Sequence, residues 1–244
     1  MRFNRICIFC HVLTLSVLFT TCFVSARADD AKKSDKDDTK TEKKEKKGWV
    51  SLFDGKTLKG WKVPVYGGDG RVKVEKGEML LEFGEMITGV TIAEPKKFPR
   101  MNYEVEIEAK RVDGSDFFAT TTFPVGKDCC SFVVGGWGGT VTGISCVDFY
   151  DAGDNVTTRF TDLKNGKWYK VRIRVSDTRI EAWIDDEKVV DLPTKEHRFE
   201  VRIEVDQSQP FGITSYQSTG AIRKVRYRKL TDEEVKKIAK MKDS

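Results

Sequence analysis

Beyond Trp61 the chain alternates apolar and polar residues with period two, the pattern of strands buried on one face. Residues 72–75 alternate, Lys76-Gly77-Glu78 turns, and residues 79–83 return. Residues 103–109 alternate without a break. Further strands are expected over 117–123 (closed by Pro124), 129–134, 144–150, 170–176, 179–185, 199–205, 211–216 and 222–228. Asp113-Gly114, Asn165-Gly166, Ser176-Asp177-Thr178 and Asp185-Asp186-Glu187 supply turn chemistry between them. Roughly eleven or twelve strands with no internal helical period predict an all-β chain folded as an antiparallel β-sandwich. Only residues 231–244 read as helix. Thr231-Asp232-Glu233-Glu234 is a capping box, followed by an apolar face of Val235 and Ile238.

The same alternation assigns faces. Tyr103, Val105, Ile107 and Ala109 point one way, and Glu104, Glu106 and Glu108 the other. Val171, Ile173 and Val175 oppose Arg172 and Arg174, and Val201, Ile203 and Val205 oppose Arg202, Glu204 and Asp206. Rows of opposite charge across neighbouring strands stabilise a sheet by roughly 0.2–1 kcal/mol per pair. The middle of the chain differs. Gly135-Gly136-Trp137-Gly138-Gly139 sets a tryptophan in a glycine loop, where Trp137 either caps the core or stands out as a platform for the C–H face of a sugar. Asp148, Tyr150, Asp151, Asp154 and Asn155 follow. Carboxylates beside aromatic rings suit hydroxyl-rich ligands, each oxygen accepting a sugar O–H. They also suit Ca²⁺, but Asp151-Ala152-Gly153-Asp154 is not an EF-hand loop, and no metal or other cofactor is expected.

Charge and cysteines change the picture at the N-terminus. Arg2 and Arg5 precede an apolar run over residues 6–24, and Ala26-Arg27-Ala28 ends it with small residues, which predicts a signal peptide over residues 1–28. An uncleaved anchor, or a lipid attached at Cys22, is the alternative. The expected location is exported: periplasm, cell envelope or extracellular space. Residues 29–48 are almost all charged or small and are expected to form a disordered tether. The net charge of +5 sits mostly in these two segments. The near-neutral remainder lacks the concentrated basic face that a nucleic-acid partner requires, and a membrane contact is expected only through an uncleaved signal. After cleavage Cys129, Cys130 and Cys146 remain. Adjacent cysteines on a strand face opposite ways, so either one of them bridges to Cys146 or all three are small buried residues. His197 is the single histidine left.

Ser51-Leu52-Phe53-Asp54-Gly55-Lys56-Thr57-Leu58-Lys59-Gly60-Trp61 resembles the opening signature of the 3-keto-disaccharide hydrolase domain family, and residues 220–230 are similar to its last strand. The resemblance spans about residues 49–230 and implies a concanavalin A-like lectin/glucanase jelly roll acting on carbohydrate, an oligosaccharide or an oxidised disaccharide. It implies that the 3-oxo group acidifies C2–H, so that a base removes this proton, the C1 substituent leaves and water adds. Such a site needs a base near C2–H and an electrophile on the oxo oxygen. By residue type Asp148, Asp151 and Glu204 are candidate catalytic bases. Arg159 and Arg172 are candidate electrophiles, and Trp137, Tyr150, Asp154 and Asn155 are candidate sugar contacts. The family's Gln-x-His-Gly segment, aligned without gaps on Arg223, puts its Gln and His at Thr214 and Tyr216, so no catalytic residue transfers. Glu104-x-Glu106-x-Glu108 also resembles the acidic strand of laminarinase-type glucanases. Alternate residues on a strand lie about 6.5–7 Å apart, within the range of about 6.5–9.5 Å that an inverting pair needs. The rival expectations are a lectin-like carbohydrate-binding module without turnover and an envelope protein-interaction module.

Overall fold

The structure is a computed structural model that describes residues 48–241. The expected signal peptide, nearly all of the tether, and Cys7, Cys10 and Cys22 lie outside the described residues. In chain order the strands are β1 (Val50–Ser51), β2 (Trp61–Lys62), β3 (Val72–Glu75), β4 (Glu78–Leu81), β5 (Ile87–Ile92), β6 (Tyr103–Gly114), β7 (Thr120–Val125) and β8 (Asp128–Gly136). They continue as β9 (Val141–Ser145), β10 (Arg159–Phe160), β11 (Trp168–Val175), β12 (Arg179–Ile184), β13 (Glu187–Pro193), β14 (Gly212–Tyr216) and β15 (Ser218–Lys229), before helix α1 (Asp232–Ala239).

Two antiparallel sheets result, as the alternation predicts. The eight-stranded sheet runs β13-β12-β11-β6-β15-β4-β3, with β1 also on β15; the seven-stranded sheet runs β10-β9-β8-β7-β14-β5-β2. Register explains why they pack. On β6 and β11, Val105 lies opposite Ile173 and Ile107 opposite Val171, all facing inward, while Glu104 and Glu106 lie opposite Arg174 and Arg172 on the outer side. The seven-stranded sheet sends Phe123, Cys130, Phe132, Ile144 and Ile213 into the same core. Phe98 closes one end, stacked on Phe211 at 4.4 Å and edge-on to Tyr103 at 5.3 Å. Trp61 is buried there, its indole N–H donating to the Leu52 carbonyl at 2.8 Å.

Several expectations need correction. The stretch 199–205 is not a strand: β14 already has β5 and β7 on its two edges, which leaves no ladder for it. It forms instead a loop leading into a 3₁₀ helix, Ile203–Ser208, with Ile203 at 87% exposure. The strand expected over 144–150 stops at Ser145 because Asp148 and Phe149 adopt left-handed φ of 52° and 74°. Pro124 does not close its strand but lies inside β7, paired with Cys129. β5 and β13 escaped the reading, since Ile-Thr-Gly-Val-Thr-Ile carries a glycine mid-run and β13 follows its turn without a clean alternation. The cysteines Cys129, Cys130 and Cys146 are free and buried, and burial pushes all three thiols up. The capping box is present in full, Thr231 accepting from the Glu234 N–H and Glu234 from the Thr231 N–H.

At the entry to the domain Asp54 accepts hydrogen bonds from the Lys56 and Thr57 N–H groups and the Thr57 hydroxyl, at 2.7–2.8 Å. The hydroxyl, then the two amides, lower its carboxyl from the ordinary 3.8 to about 2. A carboxyl depressed in the folded state stabilises above its unfolded value and loses that contribution as pH falls through the folded one. The stabilisation is therefore expected to disappear between pH 3.8 and about 2. Urea unfolding of Asp54→Asn should show a shallower loss of stability across this window than the wild type.

Candidate functional site

The two outer faces carry different chemistry. On the eight-stranded sheet the outward residues are ion pairs. Glu104 meets Arg228 at 2.5 Å and Arg172 at 3.4 Å, and Glu106 meets Arg226 at 2.8 Å and Lys224 at 3.0 Å. Arg172 also lies 4.0 Å from the Trp183 ring centroid. The Glu104-x-Glu106-x-Glu108 strand is thus a set of paired acids, and its likeness to a glucanase strand is one of spacing alone. Arg172 belongs to this face.

On the seven-stranded sheet a band of the outward residues is small and carries hydroxyls. Pairing of Thr214 with Thr120, of Thr122 with Ser131 and of Ser131 with Ser145 lines them up across β14, β7, β8 and β9. Two chain segments fold back over this floor. One follows β9, the other precedes β14, and they run side by side: the Cys146 N–H donates to the Glu200 carbonyl and the Asp148 N–H to the Arg198 carbonyl. Asn155 ties the first segment down. Its amide donates to the Ile144 and Asp151 carbonyls, and its oxygen accepts from the Thr157 N–H and hydroxyl. The 3₁₀ helix is held at its end by Ser208, which meets the Tyr66 hydroxyl at 2.7 Å.

A cavity of about 290 Å³ opens between the segment preceding β14 and the sheet. Thr120, Ser131, Val133 and Ser145 form its floor, and Phe117, Trp137 and Tyr216 its aromatic sides. Phe117 stacks on Tyr216 at 5.7 Å. Trp137 is 48% exposed and has φ of 49°. The turn that presents it closes through Asp116, whose carboxylate accepts the Gly138 N–H at 2.9 Å and the Phe117 N–H at 2.8 Å. Gly138, at φ of 81°, takes a conformation that costs a glycine little. The indole lies over Gly153, where a β-carbon would come within 3.4 Å of the ring.

The remaining wall is charged. Arg202 reaches Glu204 with two nitrogens, at 2.7 and 3.2 Å, and Asp151 with a third, at 2.9 Å. The hydrogen bonds from Arg202 hold the Glu204 carboxyl below the usual carboxylate range, and Glu204 in turn raises the guanidinium. Both side chains line the cavity.

The sequence candidates therefore separate. Trp137 and Glu204 line the cavity, and Asp151 meets it through Arg202. Asp148 does not line it. That carboxylate accepts the Arg198 N–H at 2.9 Å and faces His197 Nδ1 at 2.6 Å, and these contacts, the amide first, lower its pKa. Tyr150 is exposed, Asp154 caps its own turn through its N–H to the Asp151 carbonyl, and Asn155 is a loop tie. Arg159 stands exposed on the edge strand β10, bonded to the Thr158 carbonyl. Arg202, Asp116, Phe117, Thr120 and Tyr216 were not among the candidates. One signal pointed to Tyr216: the Gln-x-His alignment falls on Thr214 and Tyr216, both on the outward side of β14, and Tyr216 lines the cavity.

The profile of the 3-keto-alpha-glucoside-1,2-lyase-like domain matches residues 48–231. No curated protein matches the sequence. Among solved structures the chain is similar to the Crh5 transglycosylase in complex with NAG, at 12% identity over 75% of this chain and 85% of that one, with a TM-score of 0.52. It is also similar to the carbohydrate binding module CBM66 from Bacillus subtilis (14% identity, 69% and 95% covered, TM-score 0.48). Domain 4 of a GH43 extracellular arabinanase from Geobacillus stearothermophilus, in complex with arabinotriose, gives 13% identity, 79% and 97% coverage, and a TM-score of 0.48. The likeness to the Crh5 transglycosylase is one of fold, a two-sheet sandwich.

Proposed function

The chain belongs to the 3-keto-alpha-glucoside-1,2-lyase-like domain family, and on that premise we propose that the cavity beside Trp137 holds a 3-keto-glucoside and directs its cleavage by elimination across C1 and C2. The observation that carries this reading is the Arg202–Glu204 pair, which sets a cation and a carboxylate together on the wall of a cavity lined otherwise by aromatic, aliphatic and hydroxyl side chains and by Asp116. The ketone at C3 acidifies C2–H. Glu204 accepts that proton while Arg202 donates to the 3-oxo oxygen as it takes up enolate charge. The enolate electrons then form the C1–C2 double bond, the C1–O bond breaks, and the departing oxygen takes a proton from the Glu204 carboxyl or from water to leave as an alcohol. Addition of water across the double bond gives the free 3-keto sugar, so the net outcome is hydrolysis. Asp151, on the far side of Arg202, keeps the guanidinium oriented when Glu204 turns to substrate. Trp137 stacks on the sugar face. The leader expected at the N-terminus puts this action outside the cytoplasm.

One observation favours a second reading, a binding module without turnover. A general base works best with its pKa near the operating pH, and Arg202 draws Glu204 the other way.

The test is to incubate the protein with 3-keto-trehalose in D₂O, and separately with trehalose, against enzyme-free controls. Glucose release from the keto sugar alone, with solvent deuterium at C2 of the keto product, is the expected result. Glu204→Gln should slow it by about 100-fold or more. Release with C2–H retained would sink the elimination. No release, with saturable binding that Trp137→Ala abolishes, would establish the binding module instead.

A further inference from the structure

Three polar side-chain atoms are buried without a hydrogen-bond partner among the described residues: Thr120 Oγ1, Thr142 Oγ1 and Arg172 Nε. Arg172 is on the ion-paired face, and Thr142 shares the inward side of β9 with Ile144 of the core. Thr120 alone belongs to the cavity. Its residue is 2% exposed, and it lies on the floor opposite Thr214 of β14. The hydroxyls around it are engaged. Thr122 and Ser131 bond each other at 2.9 Å, Thr214 donates to the Thr120 carbonyl at 3.3 Å, and Thr121 donates to Ala119 at 3.1 Å.

A buried hydroxyl without a partner destabilises a fold, and a valine of nearly the same shape would remove the problem. We propose that Thr120 is a specificity-determining residue, whose hydroxyl pairs with a sugar hydroxyl reaching the cavity floor. The inference rests on the reading of the cavity as a sugar site and adds what the floor recognises: a group that both donates and accepts, as a threonine hydroxyl does. Rotation about Cα–Cβ is enough to bring Oγ1 to a ligand atom above the floor, since the side chain already lines the cavity. A ligand whose lower edge is deoxygenated or alkylated leaves the hydroxyl unpaired and binds less well, so the site selects sugars with that edge unmodified.

The test compares wild type, Thr120→Val and Thr120→Ser, by melting temperature without ligand and by calorimetric titration with 3-keto-trehalose, trehalose and monodeoxy trehaloses. Thr120→Val is expected to melt about 2–4 °C higher and to bind the sugar about tenfold more weakly. Its effect should fall on KM more than on kcat wherever turnover is measured. Thr120→Ser should keep wild-type affinity. One monodeoxy sugar should lose affinity for wild type and lose no more with Thr120→Val, the mark of a shared contact. Wild-type binding with an equally tight Thr120→Val overturns this inference and leaves the sugar site standing, and so does a valine variant that melts lower. No binding of any of these sugars by wild type overturns both.

Discussion

Arg202→Met is expected to lower kcat/KM for 3-keto-trehalose by about 100- to 1,000-fold, the usual loss when one donor to a developing oxyanion is removed. The expectation follows from where Arg202 sits. Its guanidinium spans two carboxylates, Glu204 and Asp151, and lines the cavity with Glu204. Without it the enolate oxygen has no cationic partner. Glu204 would become a stronger base as its depressed pKa relaxes upward, but the charge it creates would go unanswered. The fold should tolerate the change. Arg202, Glu204 and Asp151 are 41%, 40% and 30% exposed, and ion pairs this wet contribute at most about 1 kcal/mol. Arg202→Lys should recover only part of the rate, because an ammonium cannot hold Glu204 through two nitrogens and still face Asp151 with a third. The check is initial rates of glucose release, alongside urea unfolding. A folded Arg202→Met protein with wild-type kcat/KM would remove Arg202 from the reaction.

The second large effect is on stability and lies on the opposite sheet. Glu181→Ala should destabilise the domain by about 3–5 kcal/mol. Glu181 is 1% exposed, and its carboxylate is shared by Arg174 and by Lys188 at 2.7 Å. Both cations, with Arg172, also surround the Trp183 ring. Removing the acid takes from Arg174 and Lys188 the carboxylate they share and leaves both beside Arg172 on one ring, with Asp191 still on Lys188 and Glu104 still on Arg172. Breaking such a pair from one side costs far more than the intact pair contributes. The urea midpoint should fall accordingly, while glucose release per folded molecule stays unchanged, since none of these residues lines the cavity. A variant of near wild-type stability would mean that solvent screens this cluster despite its burial.

Much of this was legible in the sequence because β-sandwiches write their faces into alternate residues. Val105 and Ile107 against Glu104 and Glu106, and Val171 and Ile173 against Arg172 and Arg174, give both the core and the charged face before any coordinates. Trp137 in its glycine loop was readable as a platform. Glu204 and Asp151 were readable as acids of the right type. Arg202 was not: Val201-Arg202-Ile203-Glu204-Val205 alternates like a strand, which makes Arg202 one more arginine in a row of paired charges. Alternation reports local pattern only, whereas both edges of β14 are taken by segments more than 80 residues away in sequence, β5 and β7. The segment was left to curl over the sheet as a 3₁₀ helix and bring Arg202 to the cavity. Thr120 was hidden for a related reason. A threonine on a strand is ordinary, and only the three-dimensional environment shows that its hydroxyl lacks a partner. Asp148 shows the converse. Its residue type and position suited a base, but its partners are His197 and a backbone amide outside the cavity.

The measurement that bears most directly on the sugar site is a crystal structure of the Glu204→Gln protein soaked with 3-keto-trehalose. The oxidised ring is expected against Trp137, with its 3-oxo oxygen in hydrogen-bond reach of Arg202 and C2 facing residue 204. Sugar bound only elsewhere, on the ion-paired face of the eight-stranded sheet for example, would contradict it.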